Sequence, residues 1–192
     1  DVFKTVRENI DAALSRGFYI KVNAVMMKGV NEDELNEFVA WTKDVPLHVR
    51  FIEFMPFEGN RWQRHRVMTY KEIFSRIAER FPVEKLSDHF NSTSKSYRVK
   101  GYAGTFAVIS SVSQPFCETC NRLRLTADGK LRNCLFSRAE WDLLAAMRHE
   151  EDIRPLILEA VNAKAFQQGG SLFDSRCAES SRPARAMVKI GG

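Results

Sequence analysis

Between residues 18 and 55 the apolar residues change period twice, from two to about 3.6 and back. Residues 18–28 (FYIKVNAVMMK) alternate like a strand and run into Gly29. Asn31, with Glu34 three residues on, reads as a capping box, and Leu35, Phe38 and Val39 form the apolar stripe of the helix that follows. Residues 49–55 (VRFIEFM) form a second strand, apolar on both faces apart from Arg50 and Glu53. A helix between two strands carries the chain back to the end where the first strand began, so the two run parallel. The chain is thereby expected to be α/β.

The remaining punctuation extends this pattern. Residues 2–16 predict a helix with Val6, Ile10, Ala13 and Leu14 on one face and Gly17 as its stop. Thr69 and Glu72 form a second capping box, opening a helix that turns Ile73, Phe74 and Ile77 inward. Residues 87–96 are polar and read as a loop, followed by strands over 96–100 and 106–112 around a turn at 101–104. Ser137 with Glu140 predicts a helix start, and another helix begins near Asp152 with Pro155 in its first turn. From Gln167 onward no period is visible. The expected organisation is part of a TIM-like (β/α) barrel over residues 1–80, then a smaller α+β region over 81–192. A whole barrel takes roughly 250 residues, so this one would be incomplete.

Chemistry concentrates in residues 116–136, FCETCNRLRLTADGKLRNCLF. Cys117 and Cys120 are spaced C-x2-C, and Cys134 follows after thirteen residues. Asp128-Gly129, flanked by Leu123, Leu125, Leu131 and Leu135, is a hairpin signal that would return Cys134 towards the first two thiols. Three thiolates leave one corner of a four-iron cluster without a protein ligand. A structural zinc site needs a fourth ligand, for which Cys177, His149 or His89 stands in the sequence. Arg122 and Arg124, two apart, would share one face of a strand and point their forks at an anion. They fit equally the solvated side of a hairpin.

Polar residues also interrupt the first two strands. Lys21 and Asn23 share a face of one, and Arg50 breaks the next. A charge packed against helices is costly unless paired, so the barrel interior is the expected place for them. Lys21 or Arg50 could instead reach solvent at a strand end, or Arg50 could pair with Glu53.

Composition excludes little else. The 192 residues are 44% apolar and 28% charged, ordinary for a globular chain, and no apolar run nears the ~18 residues of a membrane span. A net charge of +5 suits an anionic partner. Four cysteines, two of them close-spaced, indicate metal binding in a reducing compartment, not a disulfide framework. Asn91-Ser92-Thr93 matches a glycosylation acceptor by chance in such a protein. Arg61, Arg64 and Arg66 beside Trp62 and His65 keep open a second reading, a zinc-ribbon nucleic-acid-binding module. A pure electron-transfer module would have four ligands and no use for the arginines.

Residues 116–136 closely resemble the C-terminal cluster motif of the GTP 3',8-cyclases, radical S-adenosylmethionine (SAM) enzymes of molybdenum cofactor biosynthesis. IKVNAVMMKGVNEDEL at 20–35, VRFIEFMPFEGNRW at 49–62 and the terminal Ile190-Gly191-Gly192 resemble the same family in the same order. The family's N-terminal C-x3-C-x2-C motif, which cleaves SAM, is not in this sequence, where no cysteine precedes Cys117. The chain therefore reads as the C-terminal part of such an enzyme, and turnover by this part alone is not expected. The resemblance implies a [4Fe–4S] cluster on Cys117, Cys120 and Cys134. It implies GTP contacts by Lys21, Arg122, Leu123 and Arg124, a SAM contact by Met55, and a substrate or SAM contact by Arg50. It also implies an active-site tail ending in Gly191 and Gly192. The implied reaction turns GTP into (8S)-3',8-cyclo-7,8-dihydroguanosine 5'-triphosphate, with an electron donor, a homodimer and a downstream cyclic pyranopterin monophosphate synthase as partners. The implied setting is the bacterial cytoplasm, with neither membrane nor nucleic acid involved.

Overall fold

A computed structural model describes residues 2–166 and 185–186. It divides into two compact units, Asp1–Phe54 with Arg64–Gln114 and Met55–Gln63 with Pro115–Gly192. The first contains α1 (Val2–Ser15), β1 (Lys21–Met26), α2 (Leu35–Trp41), β2 (His48–Glu53), α3 (Tyr70–Ala78), β3 (Val83–Lys85), β4 (Lys95–Val99) and β5 (Thr105–Ile109). The strands form one mixed sheet in the order β1-β2-β5-β4-β3. β1, β2 and β5 are parallel, as the β-α-β pattern requires, while β4 is antiparallel to both β5 and β3. The sheet extends past residue 80 because β5 takes up the second hydrogen-bonding edge of β2. β1 and β3 are its end strands, so a five-stranded mixed sheet is shown and barrel closure is not.

Burial alternates strictly along β1 and β2. Ala24, Met26, Val49, Phe51, Phe106 and Val108 point to one side and pack with Leu35 and Val39 of α2 and Ile73 and Ile77 of α3. Parallel strands covered on both faces are apolar throughout. The polar residues of these strands therefore mark a sheet whose second face is not packed by helices. No residue of α1 is buried, and only Ile10 and Leu14 of its predicted stripe pack on this core.

One local expectation needs correction. Asn31 stands at the N-cap position of the 3-10 turn Glu32–Glu34, but its side chain makes no capping hydrogen bond. That side chain instead accepts from Met27 N at 2.9 Å and donates to Val25 O at 2.9 Å, closing the turn after β1. The short strand β3 has three residues, too few to carry a pattern. Gly104 lies where the entry to β5 crosses the α2–β2 connection. A Cβ there would meet Leu47 O at 2.4 Å and Val45 O at 2.7 Å, so only glycine fits.

The Thr69–Glu72 capping box forms as expected. Partial burial alone would raise the Glu72 carboxyl, but hydrogen bonds from Lys28 (2.5 Å) and Thr69 hold it at about 2. A depressed carboxylate contributes stability above its unfolded value near 4.5 and loses it as pH falls towards 2. The side chain is 42% exposed, so about 1 kcal/mol is expected once solvent screening is allowed for. Urea titrations between pH 5 and pH 2.5 should show this loss in the parent and a flatter profile in Lys28→Met.

The second unit contains β6 (Arg124–Leu125), β7 (Lys130–Arg132), β8 (Trp141–Asp142), α4 (Leu143–Arg148) and α5 (Arg154–Asn162). The hairpin predicted around Asp128-Gly129 is present, with Gly129 at φ +77°. Leu131, Trp141, Leu143 and Ala160 form its core with Ile153, Leu156 and Ile157. The helix expected from Ser137 begins later. The Ser137 hydroxyl accepts from Ala139 N in a local turn, and Asp142 caps α4 by accepting from Ala145 N at 2.8 Å. Pro155 opens α5 as predicted. No described helix is long and apolar enough to cross a membrane.

Candidate functional site

Register decides which polar residues of the first unit share a face. Lys21 pairs with His48 and Asn23 with Arg50 on the parallel strands β1 and β2, so these four residues lie on the same side of the sheet. Thr105 of β5 continues the row next to His48. The Arg50 Nε donates to Asn23 Oδ1 at 2.8 Å. Among the described residues neither Lys21 nor Arg50 is in an ion pair, and Lys21 Nζ stands 5.4 Å from the Tyr19 ring centre. The pairing of Arg50 with Glu53 is absent, because the two project to opposite faces.

His48 joins this group, unnoticed in the sequence. Its Nδ1 is 2.7 Å from Thr105 Oγ1. Partial burial, then the charges of Lys21 and Arg50, lower its pKa and favour the neutral ring. The signal available was that Lys21 and Asn23 on one strand match His48 and Arg50 on the next. Such a face, basic and unmatched by carboxylate among the described residues, is suited to an anion.

Glu53 faces the other way and is fully buried. One oxygen accepts from Tyr70 N at 2.7 Å and from the Ser113 hydroxyl. The second accepts from Val112 N at 2.7 Å and Ser113 N at 2.8 Å. A carboxylate beside the first residue of α3 also complements that helix's positive end.

In the second unit Cys117, Cys120 and Cys134 are half-buried and form no disulfide among the described residues. Residues Cys117–Thr119 form a 3-10 turn closed by Cys120 N donating to Cys117 O at 3.1 Å. Met55, Cys134 and Leu135 all pack against Phe57 and Phe136, whose rings stack at 6.0 Å. The Asn60 side chain holds this stretch by donating to Met55 O at 2.7 Å. The structure thus brings Met55 and Cys134 to one apolar cluster, which sequence position alone does not suggest. Gly191, Gly192 and Cys177 lie outside the described residues.

The arginine pair does not share a strand. Arg122 precedes β6 and is exposed, its guanidinium 5.7 Å from the Phe116 ring centre. Leu123 is likewise exposed, at 43%. Arg124 lies on β6 directly across from Arg132 on β7. Two cations facing each other across a ladder are unfavourable without an anion nearby. Arg132 is 1% exposed. Burial pulls its pKa down, against the opposing effect of Glu140, whose Oε1 is 3.6 Å from Nη1. Its Nη2 donates to the carbonyls of Ser137 and Leu135, while Nε and Nη1 have no acceptor among the described residues.

Among the described residues no three His, Cys, Asp or Glu side chains gather about a point for a single metal ion. A four-iron cube holds each thiolate on a different iron, so its ligands stand farther apart than those of one zinc. Three half-buried thiols, one pair closed in a C-x2-C turn, and a buried cation short of acceptors fit the donor chemistry of an anionic cluster.

Comparison with known proteins adds to this. Residues 47–169 match the family model Molybdenum Cofactor Synthesis C. The chain is 39% identical to the mitochondrial GTP 3',8-cyclase of Arabidopsis thaliana over 192 residues, covering 97% of this chain and 48% of that protein. It is 38% identical to the GTP 3',8-cyclase of Thermodesulfovibrio yellowstonii over 200 residues, covering 100% of this chain and 57% of that protein. It is also 46% identical to molybdenum cofactor biosynthesis protein 1 of Mus musculus over 173 residues, covering 88% of this chain and 27% of that protein. The chain thus spans between about a quarter and somewhat over half of these relatives.

Proposed function

The chain belongs to the GTP 3',8-cyclase family of molybdenum cofactor biosynthesis, matching its C-terminal region, and from that premise we propose that it binds a [4Fe–4S] cluster and GTP for the SAM-dependent cyclisation of the nucleotide. The observation that carries this reading is the joint presence in one unit of three cysteines outside any disulfide and of Met55 and Cys134 on one apolar cluster. Cys117, Cys120 and Cys134 would hold the cluster, and when bound it offers an iron free of protein thiolate for the purine. Met55 would contact SAM through its thioether, and Asn60 fixes the Met55 backbone for that contact. Arg122 and Arg124, with the Leu123 backbone between them, would take the charged part of the nucleotide. On the first unit, Lys21 and Arg50 offer a basic face with no ion pair among the described residues for the same class of ligand, and this face is the one a closed barrel would turn inward. Fixing the base and the phosphates is what an intramolecular ring closure requires, since the two reacting carbons must already be close. The product would be (8S)-3',8-cyclo-7,8-dihydroguanosine 5'-triphosphate, and Gly191 and Gly192 would form the tail at the active site.

The role of Arg124 is directly testable. Arg124→Ala should weaken GTP binding by roughly ten- to a hundredfold, the ~1.5–3 kcal/mol of a charge-assisted hydrogen bond. Iron content should be unchanged. Equilibrium binding that finds parental affinity in this variant removes the phosphate role from Arg124.

A further inference from the structure

Cys134 sits in a loop folded around a buried charge. β7 ends at Arg132, and the chain then curls so that the carbonyls of Leu135 and Ser137 both face the Arg132 Nη2. In the sequence Cys134 lies between Arg132 and the residues whose carbonyls its guanidinium binds. The other two nitrogens have no acceptor among the described residues, and solvent does not reach them.

The charge is also incompletely neutralised. Glu140 is the nearest carboxylate, but its Oε1 makes a 2.9 Å bond to Arg185 Nη1 and only a 3.6 Å contact to Arg132. Lys130 approaches the same carboxylate at 3.8 Å, and Asp128 is divided between Lys130 and Arg185. Among the described residues Arg132, Lys130 and Arg185 share the two carboxylates Glu140 and Asp128, with Arg124 across the ladder. Of these groups Arg132 is the one out of reach of water, so its charge is the least screened.

We propose that Arg132 is a positioning residue for the cluster: its guanidinium shapes the Cys134 loop, and its buried, incompletely bonded charge sets the reduction potential of the bound iron. The proposal rests on the assignment of Cys134 as a cluster ligand. A nearby positive charge favours the more negative, reduced cluster, so it raises the potential; charge and hydrogen bonding are recognised means of tuning such centres. Removing a carboxylate beside Arg132 raises it further.

The test is a redox titration of the anaerobically reconstituted chain, followed by electron paramagnetic resonance, in the parent, Arg132→Lys, Arg132→Gln and Glu140→Gln. The expected result is a more negative potential in Arg132→Gln, a near-parental one in Arg132→Lys and a more positive one in Glu140→Gln. A merely structural arginine predicts no such opposed shifts. Equal potentials in the parent, Arg132→Gln and Glu140→Gln overturn the proposal. If Arg132→Gln does not retain iron, Glu140→Gln decides, and no positive shift there overturns it. A parent chain that takes up no iron overturns the cluster assignment and this proposal together, whereas an iron-loaded parent with unmoved potentials overturns this proposal alone.

Discussion

Glu53→Ala is expected to cost about 2–4 kcal/mol of folding stability, from lost hydrogen bonds to a charged group worth about 1.5–3 kcal/mol each before relaxation. The parent carboxylate is fully buried and accepts from three backbone N–H groups and one hydroxyl. Alanine removes that shared acceptor; Tyr70 N keeps a 3.3 Å bond to Ser113 Oγ, and Ser113 itself reaches solvent. Each orphan carries a desolvation penalty of about 1–3 kcal/mol, only part of which local relaxation recovers. Against a total stability of roughly 5–15 kcal/mol, that is enough to leave the unit marginal. Glu53→Gln keeps the shape and one oxygen but sets an NH2 against backbone donors, so it should fall between the two. Denaturant unfolding measures both. An alanine variant within about 1 kcal/mol of the parent would show that the segment 112–113 does not depend on this carboxylate.

Cys134→Ser should remove most of the bound iron. The hydroxyl is close in size to the thiol, so packing against Phe57 and Phe136 is retained and the melting temperature of the iron-free chain should hardly move. The ligand chemistry, however, needs an ionised donor, and a serine hydroxyl stays protonated where a thiol ionises on binding iron. With two thiolates left, the cluster has two unanchored corners. Iron and sulfide assays after anaerobic reconstitution provide the comparison, with Cys177→Ser as the control that should keep its iron. Full iron in Cys134→Ser, or loss from Cys177→Ser, would assign the third ligand elsewhere.

How much of this was legible follows from what each signal depends on. The parallel pairing of β1 and β2 followed from period and connection length, both local properties. The alternation of Lys21 and Asn23 with apolar neighbours is matched by the burial pattern of β1, because burial of a strand is written in every second residue; the barrel interior expected to receive them is not shown. The hairpin at Asp128-Gly129 was equally visible, since a positive φ restricts residue choice. What failed depended on competition for the same atoms. Asn31 had two places for its side chain, and the turn after β1 took it in preference to the helix. The Ser137 hydroxyl likewise closed a turn two residues on. The buried guanidinium of Arg132, the clasp on Glu53 and the partnership of His48 with Thr105 depend on residues distant in the chain or on a loop's path, which no pattern in a single segment encodes. The resemblance supplied the roles of Met55 and Arg124, which residue type alone would have assigned to core and surface.

The central claim is that three cysteines of this chain hold a four-iron cluster to which GTP binds. Electron paramagnetic resonance of the anaerobically reconstituted, reduced chain, recorded with and without GTP, tests it most directly. The account predicts about four irons per chain and a cluster signal that changes when GTP is added. A chain that takes up zinc and no iron, or a cluster signal indifferent to saturating GTP, would contradict it.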